Sequence, residues 1–116
     1  LTTRDSFDIN VGRVVGSTYD TLQDGRITNR LRFRVRNQTG APTSYTVSIA
    51  DPENAMLQIA GATPVQLESG EMKRIEAFVF LPESEIVNGV RSTTLLFEFA
   101  DGTQREVDFT LIGPSN

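Results

Sequence analysis

The stretch from Thr93 to Ile112, Thr-Thr-Leu-Leu-Phe-Glu-Phe-Ala-Asp-Gly-Thr-Gln-Arg-Glu-Val-Asp-Phe-Thr-Leu-Ile, decides the fold class. Two alternating runs, Thr93 to Ala100 and Thr103 to Ile112, flank Asp101-Gly102, and alternation with period two around an Asp-Gly pair is a hairpin signal. A strict two-residue turn would set Phe97 opposite Glu106 and Leu95 opposite Asp108, mixing core and solvent faces. A three-residue loop, Ala100 to Gly102 with Gly102 left-handed, pairs Leu95 with Val107 and Thr93 with Phe109, so this register is the expected one.

The same period extends outward along the chain. Met72 to Leu81 reads as a strand ended by Pro82, in which Ile75, Ala77 and Val79 compete with Phe78 and Phe80 for the buried face. Short strands are expected at Met56 to Ile59 and Val65 to Leu67, separated by Gly61 and Pro64. Ser44 to Ala50 alternates through Tyr45, Val47 and Ile49. Arg26 to Arg36 carries Leu31, Phe33 and Val35 on one side and Arg30, Arg32, Arg34 and Arg36 on the other, while Phe7, Ile9 and Val11 share a face in Ser6 to Val14. Glu83 to Val87 is the only candidate helical turn. Seven to eight short strands with turn residues between them predict an all-β, immunoglobulin-like sandwich of two antiparallel sheets, with a jelly roll or small barrel as the structural alternative.

Composition narrows the chemistry. The chain has 116 residues, 38% hydrophobic content and no Cys, His or Trp. That is material for one small domain, expected to span residues 1–116. Without His or Cys there is no Ser-His-Asp or Cys-His pair, no thiolate metal site and no disulfide. A net charge of -4 argues against a general nucleic-acid binder. Zero Trp and two Tyr leave little for stacking on sugar rings, so no carbohydrate ligand is expected. No run of 18 apolar residues and no signal peptide are seen, and a start at Leu1 without Met reads as a piece of a longer protein.

From Val11 to Asn37 the chain runs Val11-x-Arg13, an aromatic at Tyr19, Asp24-Gly25-x-Ile27-x-Asn29, then alternating hydrophobics through Phe33 and Val35 to Asn37. This pattern, with the close at Ile112-Gly113-Pro114, resembles the C-terminal immunoglobulin-like domain of the FixG/CcoG proteins, bacterial cytochrome c oxidase accessory proteins. The resemblance implies a parent anchored in the inner membrane, with a ferredoxin-like region holding two [4Fe-4S] clusters and a part in building the cbb-type oxidase through copper handling. Every cluster ligand there is Cys, so the electron-transfer chemistry belongs outside this chain and no cofactor is expected within it. The implied role is a non-enzymatic interaction or positioning module, on the periplasmic side, with protein partners in oxidase assembly. A free-standing bacterial immunoglobulin-like binding or adhesion module is the alternative.

Candidate sites are few. The carboxylate pairs Asp51/Glu53, Glu83/Glu85 and Glu98/Glu106 could in principle act as acid and base, but they fall in turns or on polar faces with no groove between them. No catalytic or metal-binding residue is assigned. Asp51-Pro52-Glu53-Asn54 lacks the spacing of a calcium loop. Among the resemblance letters, Gly25 permits a positive φ, Asp24 caps the turn, Asn29 has an amide for backbone groups near a bend, and Asn37 with Gly40 shapes a turn. Met56 and Met72 read as core filler. The stripe Arg30, Arg32, Arg34 and Arg36 is the one local feature able to carry recognition, with Glu71 and Glu76 expected opposite it as neutralising partners.

Overall fold

Burying every second side chain leaves the intervening ones to solvent, and the alternating runs accordingly become strands. The computed structural model describes residues 7–13, 19–61 and 63–114. Among these residues nine strands are present: β1 (Phe7–Arg13), β2 (Asp20–Thr21), β3 (Arg26–Asn37), β4 (Thr43–Asp51), β5 (Met56–Ile59), β6 (Val65–Leu67), β7 (Met72–Pro82), β8 (Val90–Phe99) and β9 (Gln104–Ile112). They form two antiparallel sheets. The first has the order β1-β3-β7-β5, with β2 also paired to β3, and the second has the order β6-β4-β8-β9. The chain switches sheets at each connection from β3 to β8, an immunoglobulin-like sandwich with an extra edge strand, β6, beside β4.

The hairpin that decides the fold has the expected register. Leu95 faces Val107, Thr93 faces Phe109 and Phe97 faces Arg105. The Phe99 N–H donates to the Thr103 carbonyl, and Gly102 stands at φ +92°. On β3 and β7, Ile27, Leu31, Phe33 and Val35 pack inward with Ala77, Val79 and Leu81 against Leu95, Phe97, Phe99 and Tyr45 of the second sheet. Phe33 meets Phe97 edge-on at 5.4 Å between centroids, and Phe7 stacks on Phe99 at 3.5 Å. At about 25 cal/mol per Å² of apolar surface removed from water, this layer is the principal stabiliser of a chain without disulfides.

Several expectations are corrected. β2 escapes a periodicity search because two residues carry no period. β8 begins at Val90 instead of Thr93, because Asn88 and Gly89, both left-handed, form a tight turn that bridges Val87 to Val90. Of the expected turn Glu83 to Val87, Glu83–Glu85 alone is helical, as a single 3-10 turn. Met56 is 62% exposed and not core filler, because Leu57 and Ile59 take the inward positions of β5. Ser6 and Val14, the ends of the expected first strand, lie outside the described residues.

The contest on β7 is decided by register. Ala77, Val79 and Leu81 are fully buried, whereas Phe78 and Phe80 lie on the outer face, half-buried. There the Arg30 guanidinium lies 5.6 Å from the Phe78 ring centre and that of Arg26 5.4 Å from Phe80. Long Arg stems thus cover part of the surplus aromatic surface.

Candidate functional site

The carboxylate pairs do not form an acid-base site. The Glu85 carboxylate accepts from the Asn54 amide at 3.0 Å and from Arg91 at 3.1 Å, and these bonds hold its pKa below the usual range, opposite to what a general acid needs at neutral pH. Asp51 faces the same guanidinium at 3.4 Å. Glu98 lies across from Gln104 and accepts from its amide at 3.3 Å, while Glu106 lies across from Leu96. Each is tied into strand or turn structure instead of a shared cleft.

The resemblance letters sit at joints of the sandwich. The Asp24 carboxylate accepts from the Arg26 N–H at 3.0 Å and from its guanidinium at 2.8 Å, which lowers its pKa, and Gly25 follows at φ +91°. Asn29 is fully buried on the inward face of β3. Its amide donates to the Ile112 carbonyl and its oxygen accepts from the Ile112 N–H, both at 2.9 Å. An amide expected beside a local bend therefore ties the first sheet to the last strand of the second. Arg13, at the end of β1, donates to the Thr110 carbonyl at 2.7 Å and covers the Phe109 ring at 5.2 Å. Thr110 and Ile112 direct these groups away from β8, so Arg13 and Asn29 occupy part of the exposed edge of β9 where another strand could add.

Asn37 is a second polar staple. Its amide donates to the carbonyls of Ala41 at 2.7 Å and Glu68 at 3.2 Å, and its oxygen accepts from the Thr39 N–H and hydroxyl. The β3–β4 turn is thereby joined to the loop before β7. Because this side chain is fully buried, the Asn37-Gln38-Thr39 tripeptide is closed to glycosylation in the folded chain. Ile27 belongs to the core, and Tyr19 packs against it.

The Arg stripe is a continuous row on the outer face of the first sheet. Arg32 lies across from Glu76, Arg34 from Arg74 and Arg36 from Met72. Glu76 pairs with Arg30 at 3.2 Å, not with Arg32, and the Glu71 carboxylate accepts from the Glu68 N–H. The expected neutralisation is thus half present: among the described residues Glu76 serves one guanidinium and Glu71 serves none. The sequence reading missed Arg74 beside Arg34. Arg74, Glu76, Phe78 and Phe80 share one parity of β7, a signal that becomes readable only once the β3–β7 register is known.

Sequence comparison gives these features a context. A family profile described as "IG-like fold at C-terminal of FixG" matches residues 1–114. The chain belongs to this family. Among solved structures, the FixG-related protein from Vibrio parahaemolyticus superposes with a TM-score of 0.73 at 16% identity, over 94% of this chain and 97% of that one. The yeast GGA1 GAE domain superposes at 0.53 and 16% identity, over 98% and 96%. A lipoprotein from Bacteroides thetaiotaomicron does so at 0.50 and 14% identity, over 100% and 86%. At such identities the likeness is one of fold. No curated protein matches the chain in sequence.

The iron-sulfur clusters implied for FixG proteins have no fitting ligands here. The chain contains neither Cys nor His, and among the described residues no group of three or more acidic side chains gathers. Its two thioethers are also separated. Met56 lies across from Phe80 and Met72 begins the same strand, eight residues or about 26 Å away along β7. They cannot share one copper ion.

Proposed function

We propose that this FixG C-terminal domain is a non-catalytic interaction and positioning module of a membrane-bound iron-sulfur protein that serves cbb-type oxidase assembly and its copper supply, and that it works on the periplasmic side. The family description pairs FixG with the word oxidoreductase, and the absence of Cys from this chain supports placing that redox chemistry in other parts of the parent. The observation that carries the reading is the division of labour among the side chains. Apolar groups fill the space between the sheets, the buried amides of Asn29 and Asn37 join strands and loops, and the distinctive chemistry left over is charge on an outer face. Such a domain offers a surface, not a reaction site.

Deletion of residues 1–114 from the parent protein tests the role. Cluster iron in the membrane fraction is expected to stay within about twofold of the intact protein, while the level of assembled oxidase falls. An unchanged oxidase level, or loss of the clusters, would refute it. The side of the membrane is tested separately with Gln38→Cys, an exposed loop position in a chain free of Cys. A membrane-impermeant maleimide should label this variant in intact spheroplasts above the level seen with the parent lacking the substitution, whose own Cys residues set the background. Labelling only after permeabilisation would move the domain to the other side.

A further inference from the structure

We infer that the outer face of the first sheet, centred on Arg32, Arg34 and Arg74, docks a carboxylate-rich segment of a partner protein. This rests on the interaction-module reading above and specifies the surface and the chemistry. Three observations carry it. Arg34 and Arg74 are direct cross-strand neighbours, which brings two guanidinium stems about 5 Å apart at Cβ, an arrangement that costs stability in the free chain. Neither these two nor Arg32 has a carboxylate within ion-pair distance among the described residues, since Glu76 is held by Arg30, Asp24 by Arg26, and Asp51 and Glu85 by Arg91. The sheet beside them is open among the described residues. A shallow depression runs over Asn10, Gly12, Arg32 and Arg34, and a side chain placed at Gly12 would meet nothing within 4 Å.

The shape and charge favour a peptide-like acidic partner over a bilayer. Arg32 and Arg34 stand about 7 Å apart along β3, and with Arg74 they form a compact triangle suited to a few carboxylates accepting from guanidinium forks. Asp8 lies across from Arg36 and bounds the patch at that end. The opposite sheet carries exposed Glu98, Glu106 and Asp108, and the chain has net charge -4, so a broad anionic membrane would repel the molecule outside the patch. Phe78 and Phe80 lie beneath arginines instead of projecting as membrane anchors.

The probe is a fluorescein-labelled octaglutamate peptide, titrated with the chain and followed by fluorescence anisotropy at about 20 mM salt, where screening is weak. The wild-type chain is expected to bind it, and added salt to release it. Arg32→Gln/Arg34→Gln/Arg74→Gln should weaken binding about tenfold or more with the urea midpoint preserved. Should that variant fail to fold, Arg34→Gln alone is read, with a loss of about threefold. Thr46→Glu/Ser48→Glu/Ala50→Glu changes the net charge equally on the opposite sheet and should leave binding within about twofold. Equal losses in the two triple variants would reduce the effect to net charge and overturn the proposal. So would an indifferent wild-type chain, or binding to phosphatidylglycerol vesicles in preference to the peptide. A deletion phenotype in the parent alongside an indifferent titration overturns this surface and leaves the module reading standing.

Discussion

Asn29 makes two hydrogen bonds across the sandwich that a backbone strand would otherwise make. Replacing it by Leu keeps the heavy-atom count and branching and removes both partners of Ile112, whose N–H and carbonyl lie on the exposed side of β9. A loss of about 2 kcal/mol is expected in urea unfolding, together with faster hydrogen exchange at the Ile112 amide. Unchanged exchange there would dismiss the staple. Tyr45 is the opposite case. Its ring packs 5.5 Å from Phe99 and 5.8 Å from Phe97, and its buried hydroxyl has no hydrogen-bond partner among the described residues. Burial pushes its pKa up to about 12. The folded state therefore holds this proton more tightly than the unfolded chain, whose tyrosine titrates near 10. The corresponding stability is complete below pH 10 and is lost as pH rises through 12. Tyr45→Phe is expected to match or exceed the wild type by up to about 1 kcal/mol at neutral pH and to resist alkaline unfolding, measured by urea midpoints at neutral pH and near pH 11.

At the scale of elements, the β8–β9 hairpin is the part of the fold most legible in the sequence. A slip of one residue would set Leu95 and Phe97 opposite acidic or polar side chains, so the pattern itself excludes the neighbouring registers. Gly102 makes that loop possible. Gly102→Ala meets no clash but must adopt φ +92°, and is expected to cost about 1 kcal/mol with the fold retained, read from the denaturation midpoint. A neutral result would show that the loop can take another form. The β3–β7 pair was less legible. β7 carries apolar side chains on both faces near Phe78 and Phe80, and alternation alone could not say which set faces inward. The start of β8 was missed for a local reason: Asn88-Gly89 is itself a hairpin turn, close behind the 3-10 turn, and its strands are too short to show a period.

For the molecule as a whole, the turns set the response to acid. Asp24 is held below its ordinary value of 3.8 chiefly by the Arg26 N–H, Asp101 chiefly by the Thr103 N–H, and Glu85 below 4.5 chiefly by the Asn54 amide. Lowered pKa values mean that the folded state binds fewer protons than the unfolded chain. Their contribution is therefore complete above about pH 5 and is lost as pH falls through the lowered values. Urea midpoints should agree at about pH 7 and 5 and drop near pH 3, and Asp24→Asn/Glu85→Gln/Asp101→Asn should flatten that drop. An acid limb of unchanged depth in the triple variant would point to other groups. The absence of Cys and His and the separation of the two Met residues lead to a further expectation. After desalting, elemental analysis of the chain should find well below one equivalent of iron or copper. A full equivalent of either would require a site of different chemistry.

Composition and alternation were sufficient to set the all-β class, most strand positions and the exclusion of thiolate and imidazole chemistry, because these depend on residue identity and on spacing along one chain. The Arg13–Tyr19–Asp24–Asn29–Asn37 pattern likewise supported the family resemblance that the profile over residues 1–114 bears out. Contacts between distant strands required the folded chain. Asn29 meets Ile112 across 83 residues, Arg34 meets Arg74, and Glu76 goes to Arg30 instead of Arg32. Each follows from sheet packing and strand register. A row of arginines is visible in one dimension, but whether it is neutralised depends on which side chains the neighbouring strand sets beside it.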